Sequence, residues 1–177
     1  MVGDGQDAQG RLSRSEGVRL AAAVLLVAAI APGWIRAQAD GVSLQRPRAW
    51  HATARPLTPV VYPAQVLAVA SFPFPRDPRP NGCSPEGTLA RMQPDGALLY
   101  VIEYDGGGVR HADFPPRPRR LRLVHFARYE CFGPSYRVTF RESGRFFQVQ
   151  VAFGRDAGAA VHATALRVLN SFHAEPR

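Results

Sequence analysis

The chain has 177 residues and a formal net charge of +8, and all 22 of its basic residues are arginine. Lysine is absent while isoleucine and asparagine are rare, which indicates a GC-rich genome, because the codons of these residues are AT-rich. The arginine excess is therefore partly a codon effect. The sequence also has no zinc-ligand spacing and no helix-turn-helix pattern, so we expect no nucleic-acid partner.

The N-terminal segment is predicted to be an export signal. Three arginines precede an apolar run of twelve residues at 20–31. A signal peptide needs an apolar core of about 7 to 15 residues, whereas a membrane span needs about 20. Small residues at Ala37 and Ala39 suit signal peptidase, so we expect residues 1–39 to be removed. The alternative is an uncleaved membrane anchor, in which Trp34 rests at the lipid interface.

Both alternatives place residues 40–177 outside the cytoplasm as a single domain that touches the membrane only through the N-terminal segment. Exported proteins meet an oxidising medium, so we expect the two cysteines of the chain, Cys83 and Cys131, to form a disulfide. The alternative makes Cys83 a nucleophile activated by a histidine, which requires a free thiolate near a base.

The domain is predicted to consist mainly of strands. Short apolar runs and alternating apolar and polar residues indicate strands at 42–45, 65–71, 98–104, 121–128, 136–140 and 147–153. The strand at 98–104 is apolar on both faces and is predicted to be central. The last two strands are predicted to form a hairpin with one buried and one solvent-exposed face. Proline-rich stretches at 55–63 and 72–82 predict loops.

Two helices are predicted. Ser84, as an N-cap before Pro85, starts a short helix that reaches about Met92. A long C-terminal helix with Asp156 as its cap is predicted from an apolar stripe at helical spacing. The stripe consists of Val161, Ala165, Val168, Leu169 and Phe172. We therefore expect an α+β fold, with an antiparallel sheet packed by one long and one short helix.

Both ends of this domain resemble the PsbP-like family of secreted and lumenal proteins. The opening at 41–50 has a strand followed by Pro47 and Trp50, and the close at 166–172 is the end of a helix that follows a strand pair. Arg46 stands where the family usually has tyrosine. The resemblance implies an α/β/α sandwich and an accessory or binding domain that docks to partners. It implies no catalytic residue and no cofactor.

The sharpest local feature is a basic run formed by Arg117, Arg119, Arg120 and Arg122. Arginine forks bind phosphate or carboxylate with two parallel hydrogen bonds, so this run is a candidate site for an anionic envelope polymer or lipid. The alternative is a solvated loop that enters a strand and needs no ligand.

Catalytic and metal sites have less support. Glu103 interrupts an apolar strand, and we expect it to form a salt bridge with an arginine such as Arg122. The alternative pairs it with Glu130 as the acids of a small secreted hydrolase. His111 and Asp113 offer two metal ligands where a site needs three or four, so we expect no metal and no cofactor. The sequence therefore predicts a non-enzymatic accessory or binding domain at the cell envelope, with an envelope protein or an anionic polymer as its partner.

Overall fold

The computed structural model describes residues 33–76, 82–104 and 109–177. These residues form nine strands in two sheets and two α-helices, so the α+β class and the antiparallel sheet are confirmed. The apolar run at 20–31 lies outside the described residues, and the export signal stays a prediction. Among the residues described, no helix is long and apolar enough to cross a membrane.

The strands and helices are numbered in chain order. The strands are β1 (Trp34–Ala39), β2 (Val42–Pro47), β3 (His51–Thr53), β4 (Ala64–Ala70), β5 (Ala97–Tyr104), β6 (Phe126–Tyr129), β7 (Gly133–Glu142), β8 (Arg145–Phe153) and β9 (His173–Ala174). The helices are α1 (Glu86–Leu89) and α2 (Ala159–Asn170), and a 3₁₀ turn spans His111–Asp113.

The larger sheet has the strand order β3-β4-β5-β8-β7-β6, which confirms the central position of β5. Every neighbouring pair is antiparallel. The predicted hairpin is β7 and β8, joined at Ser143 and Gly144. Both of these residues have positive φ, 54° and 76°, which matches the twist that a two-residue hairpin turn requires.

A smaller sheet of order β1-β2-β9 was not expected from the sequence. Strand β1 pairs with β2 along its whole length, from Trp34 opposite Pro47 to Ala39 opposite Val42. The Asp-Gly dipeptide at residues 40 and 41 makes the turn, with φ of 48° and 72°. The Ala37 and Ala39 pair, predicted to precede a cleavage site, therefore lies within a strand of the folded domain.

Apolar side chains cover both faces of the larger sheet. On one, the helix face, Leu99, Val101 and Phe147 pack against α2 and the smaller sheet. On the other, the loop face, Leu98 and Tyr100 pack against α1 and the loops. Strand β8 is consequently buried along nearly its whole length, and the solvent-exposed face predicted for this hairpin is wrong for β8.

Helix α2 is shorter than predicted, with 12 residues. The predicted stripe is confirmed for Ala165, Val168 and Leu169, which are buried, while Phe172 lies beyond the helix and fills the core as part of the following turn. Gly158 is the N-cap residue and no side chain caps the helix, so the cap predicted at Asp156 is wrong.

Helix α1 is a single turn of four residues whose N-cap residue is Pro85, so Ser84 is not the cap. The strand predicted at 121–128 is also shorter, since β6 begins at Phe126. At Leu121, the first residue of the predicted strand, the Asn170 side chain takes the place of a strand partner. Its amide accepts from the Leu121 backbone N–H at 2.8 Å and donates to the Leu121 carbonyl at 3.1 Å. It thereby satisfies the backbone groups that a neighbouring strand would otherwise bind.

Candidate functional site

A groove opens on the loop face of the larger sheet. Side chains alternate along a strand, so Tyr100 and Tyr104 of β5 share this face with Gln148 and Gln150 of β8. Two cavities of about 270 and 460 Å³ have Tyr104, Arg137 and Gln148 in common. We call the two together the tyrosine groove. The smaller cavity is also lined by Tyr100, Ile102, Tyr129 and Phe132, and the larger by Tyr62, Arg110, Phe114 and Thr139.

Aromatic rings form much of the wall. The Tyr100 ring lies 5.6 Å from that of Phe132, and the Tyr104 ring lies 5.1 Å from that of Phe114. Burial raises the pKa of Tyr100, against a smaller opposite effect of its hydrogen bond with Thr58. Burial also raises the pKa of Tyr104, against the positive charge of Arg137. Both phenols are therefore neutral at physiological pH.

Two buried glutamines lie in the floor of the tyrosine groove, Gln148 at 8% and Gln150 at 3% exposure. The amide orientation of Gln150 is assigned from its partners. In that orientation its oxygen accepts from Arg137 Nε and from Gln148 Nε2, each at 3.1 Å, and its nitrogen donates to Ser135 Oγ at 3.0 Å. The Gln148 oxygen accepts from the Tyr104 hydroxyl at 3.5 Å. These hydrogen bonds between the two glutamines and Arg137 hold the Arg137 side chain against the floor of the groove.

Arg137 is the central cation of the groove. Its guanidinium carbon lies 3.7 Å above the centre of the Tyr129 ring, in cation–π geometry. No carboxylate within the described ranges forms a salt bridge with it, and its terminal nitrogens have no hydrogen-bond partner there. Two acids among the described residues line the groove, and neither forms a salt bridge with Arg137. Asp113 pairs with Arg110 at 2.9 Å, and Glu130 is exposed.

The predicted disulfide is confirmed and borders the groove. Cys83 and Cys131 are bonded, with their Cα atoms 5.0 Å apart, and both line the smaller cavity. The bond holds the segment before α1 against the turn between β6 and β7. Because its sulfur is in the bond, Cys83 is not a thiolate nucleophile.

Glu103 lies on the helix face, directly opposite Phe147 in the strand register. The predicted salt bridge exists, but its partners are Arg145 and Arg177, and Arg122 is exposed elsewhere. Hydrogen bonding to Glu103 raises the pKa of Arg145. Glu130 lines a cavity of the loop face, so the structure does not bring together the two acids of the hydrolase alternative.

The four arginines of the basic run have two different environments in the structure. Arg117 Nη2 donates to the Asn170 carbonyl at 2.9 Å, and Arg117 Nε lies 3.1 Å from Glu142 Oε2, so this residue is engaged in the fold. The other three members are exposed, Arg119, Arg120 and Arg122. As for metals, the described segments hold no group of three His, Cys, Asp or Glu residues that could bind an ion.

The fold and the groove define a class of protein, an antiparallel α+β domain with a disulfide beside an aromatic groove. Comparison of the chain with protein-family models, with curated proteins and with solved structures finds no match. The PsbP-like resemblance therefore stays a prediction. The sequence analysis missed the tyrosine groove, although one signal was present. Tyr100 and Tyr104 are four residues apart and Gln148 and Gln150 are two apart, so each pair lies on one face of a mostly apolar strand.

Proposed function

We propose that this chain is an exported, non-enzymatic binding domain of the cell envelope and that the tyrosine groove is its binding site. The observation that supports this function best is the Arg137 guanidinium, which lines an aromatic cavity and has no carboxylate partner among the described residues. Ligand sites generally combine apolar walls with a few convergent polar groups, and the groove has both. The cavity of about 460 Å³ is within the usual range for small ligands.

Binding is favoured over catalysis because the residues suggested for chemistry are engaged in the fold. Cys83 is half of a disulfide, and Glu103 is bound by two arginines. A nucleophile requires an adjacent base, and the two tyrosines of β5 in the wall of the groove, Tyr100 and Tyr104, are neutral. These side chains are suited to holding a ligand rather than to attacking it.

The disulfide is compatible with an extracytoplasmic location. Strand β1 supports a domain that keeps residues 33–39 after export. Removing them would separate a strand paired along its whole length with β2 and would take away Trp34, whose ring lies 4.0 Å from the Arg167 guanidinium carbon. The uncleaved anchor, or processing before Gly33, is therefore favoured over cleavage after Ala39.

The binding function can be tested by thermal unfolding of the exported protein with a panel of small organic molecules. Thr139 lines the larger cavity and Val60 the smaller, so Thr139→Tyr combined with Val60→Trp should fill the groove and abolish the stabilisation that a groove ligand gives. Thr164→Tyr is the matched control, because Thr164 lies on α2 at the other face of the sheet. Stabilisation that survives the two substitutions together, or a panel with no stabilising member, would contradict the proposal.

A second candidate function is binding of an anionic envelope polymer. It is favoured by the exposure of Arg119, Arg120 and Arg122, none of which has an ion-pair partner in the described part of the chain. Binding through three solvated arginines should weaken steeply with salt. Retention on an anionic matrix should fall when all three are changed to glutamine, and retention that ignores both salt and these substitutions would exclude this function.

A further inference from the structure

We infer that the ligand of the tyrosine groove is a small amphiphile with a carboxylate group, whose charge faces Arg137 and whose apolar body lies against Tyr100, Ile102 and Phe132. This inference rests on the proposed function, since it names the chemistry of the molecule that the groove binds.

The first step concerns the geometry of Arg137. Tyr129 covers one face of the guanidinium, and Nε is occupied by Gln150. Arg137 lines both cavities, and its terminal nitrogens have no hydrogen-bond partner among the residues described. A planar pair of N–H donors held in this way matches the two oxygens of a carboxylate, which can accept two parallel hydrogen bonds.

The second step concerns the charge of the site. Arg137 is half-buried, and a cation withdrawn from water is costly unless an anion compensates it. Asp113 is already paired with Arg110, and Glu130 stands exposed at the rim, where solvent screens it. Among the described residues of the groove, the charge that no ion pair compensates is therefore that of Arg137, and it favours an anionic ligand.

The third step concerns the apolar walls. Tyr100, Ile102 and Phe132 are 6%, 9% and 4% exposed. All three line the smaller cavity, so the little surface that they leave accessible forms the inner wall of that cavity. At about 270 Å³, this cavity is near the lower limit for ligand sites, which favours a single ring or a short alkyl chain. A ligand with such an apolar body and a carboxylate at Arg137 contacts both the apolar wall of the smaller cavity and the cation of the groove.

The experiment compares matched acid and alcohol pairs, phenylpropanoate with phenylpropanol and hexanoate with hexanol. Affinities are measured by calorimetry on the full chain, exported and oxidised. A hydrogen bond to a charged group in a partly buried site contributes more than a neutral one, so we expect each acid to bind at least about tenfold more tightly than its alcohol. Arg137→Gln should remove this preference and leave the weaker affinity for the alcohols nearly unchanged.

The matched control is Arg128→Gln. Arg128 is an exposed arginine on the neighbouring strand β6 and lines neither cavity, so its loss removes the same charge without touching the site. We expect it to change the affinity for the acids by less than about twofold, as solvent screens an exposed charge. An equal loss in both variants would mean that the general field of the protein, rather than Arg137, selects the acid, and would overturn the inference.

The outcomes separate the inference from the proposed function. Acids and alcohols that bind equally well, with both excluded by Val60→Trp in the smaller cavity, would overturn the carboxylate inference and leave the binding domain standing. The absence of binding by either member of every pair would overturn the inference, and the wider thermal panel would then decide the binding function. If Arg137→Gln fails to fold by circular dichroism, the comparison of acid with alcohol on the unmodified chain still decides.

Discussion

Arg145 binds Glu103 through two parallel hydrogen bonds across the centre of the larger sheet, Nε to Oε1 and Nη2 to Oε2, each 2.8 Å long. Both side chains are only 4% exposed. Arg177, near the C-terminal end of the described chain, adds a third bond to Oε2 at 2.9 Å. The acid that interrupts the central strand therefore joins β5, β8 and the C-terminal segment on the helix face.

Glu103→Gln should lower the free energy of unfolding by about 3 kcal/mol, because the change leaves the buried Arg145 without its counter-charge. Urea unfolding measures this loss. Asp113→Asn is the control, since its partner Arg110 is exposed and such surface pairs contribute about 0 to 1 kcal/mol. Equal effects of the two substitutions would show that the pair of Glu103 and Arg145 is not important for stability.

Stability should also fall in alkali because of Tyr100. Burial raises the pKa of this phenol above its ordinary value, so between the two values the folded protein keeps a proton that the unfolded chain has released. The stabilisation that the protonated Tyr100 gives to the folded state is complete below about pH 10, and it is lost as the pH rises through the raised pKa. The decline of urea stability with pH should be shallower in Tyr100→Phe. A decline of the same slope in both proteins would contradict this assignment.

Gly154 should not accept a side chain. A Cβ there would lie 2.2 Å from the Pro94 carbonyl oxygen and 2.3 Å from that of Gln93, and these backbone atoms cannot move aside like a flexible side chain. Gly154→Ala should therefore cost about 2 to 3 kcal/mol of unfolding free energy. Gly158→Ala is the matched control, since a Cβ at Gly158 meets nothing within 4 Å, and it should change stability by less than about 1 kcal/mol. Thermal unfolding that ranks them in the opposite order would refute this packing.

The larger sheet could be predicted from the sequence because its strands carry their own signals. Strand β5 has an apolar run that only Glu103 interrupts, and β7 and β8 alternate on either side of a Ser-Gly turn. Local patterns of this kind record burial directly. The disulfide could be predicted for a different reason, since the chain has only one pair of cysteines and one way to join them.

The features that could not be predicted depend on contacts between distant parts of the chain. Strand β1 has the small residues of a cleavage site, and only its pairing with β2 shows that it belongs to a sheet. The partner predicted for Glu103 was wrong. The arginine that binds Glu103 is Arg145, the first residue of the neighbouring strand β8, and not Arg122 of the basic run. The tyrosine groove arises where loops distant in sequence leave part of the loop face uncovered.

Strand β1 should contribute measurably to stability. Trp34 packs against the main core and lies over the Arg167 guanidinium, so Trp34→Ala removes apolar contacts and a cation–π interaction. We expect a loss of about 1 to 2 kcal/mol in urea unfolding. Gln38→Ala is the control, because this residue of the same strand is exposed. N-terminal sequencing of the exported protein should find Trp34 retained, and a chain that begins at Asp40 would contradict the place given to β1.

The disulfide should stabilise both the fold and the groove. Its cysteines are 48 residues apart, and closing a loop of that length restricts the unfolded chain by about 4 kcal/mol on the entropy model. Replacing both cysteines by alanine should lower the free energy of unfolding by up to this amount. Cys131 lies between Tyr129 and Phe132 in the groove wall, so the variant should also bind groove ligands more weakly.

Reduction of the unmodified chain should reproduce both effects, whereas the same reductant should change nothing in the double alanine variant. If binding is unaffected while stability falls, the wall formed by Tyr129 and Phe132 does not need the bond for its position. Because a looser wall mainly shortens the residence time of a bound molecule, the weaker binding should appear as a faster dissociation rate, which stopped-flow displacement measures directly.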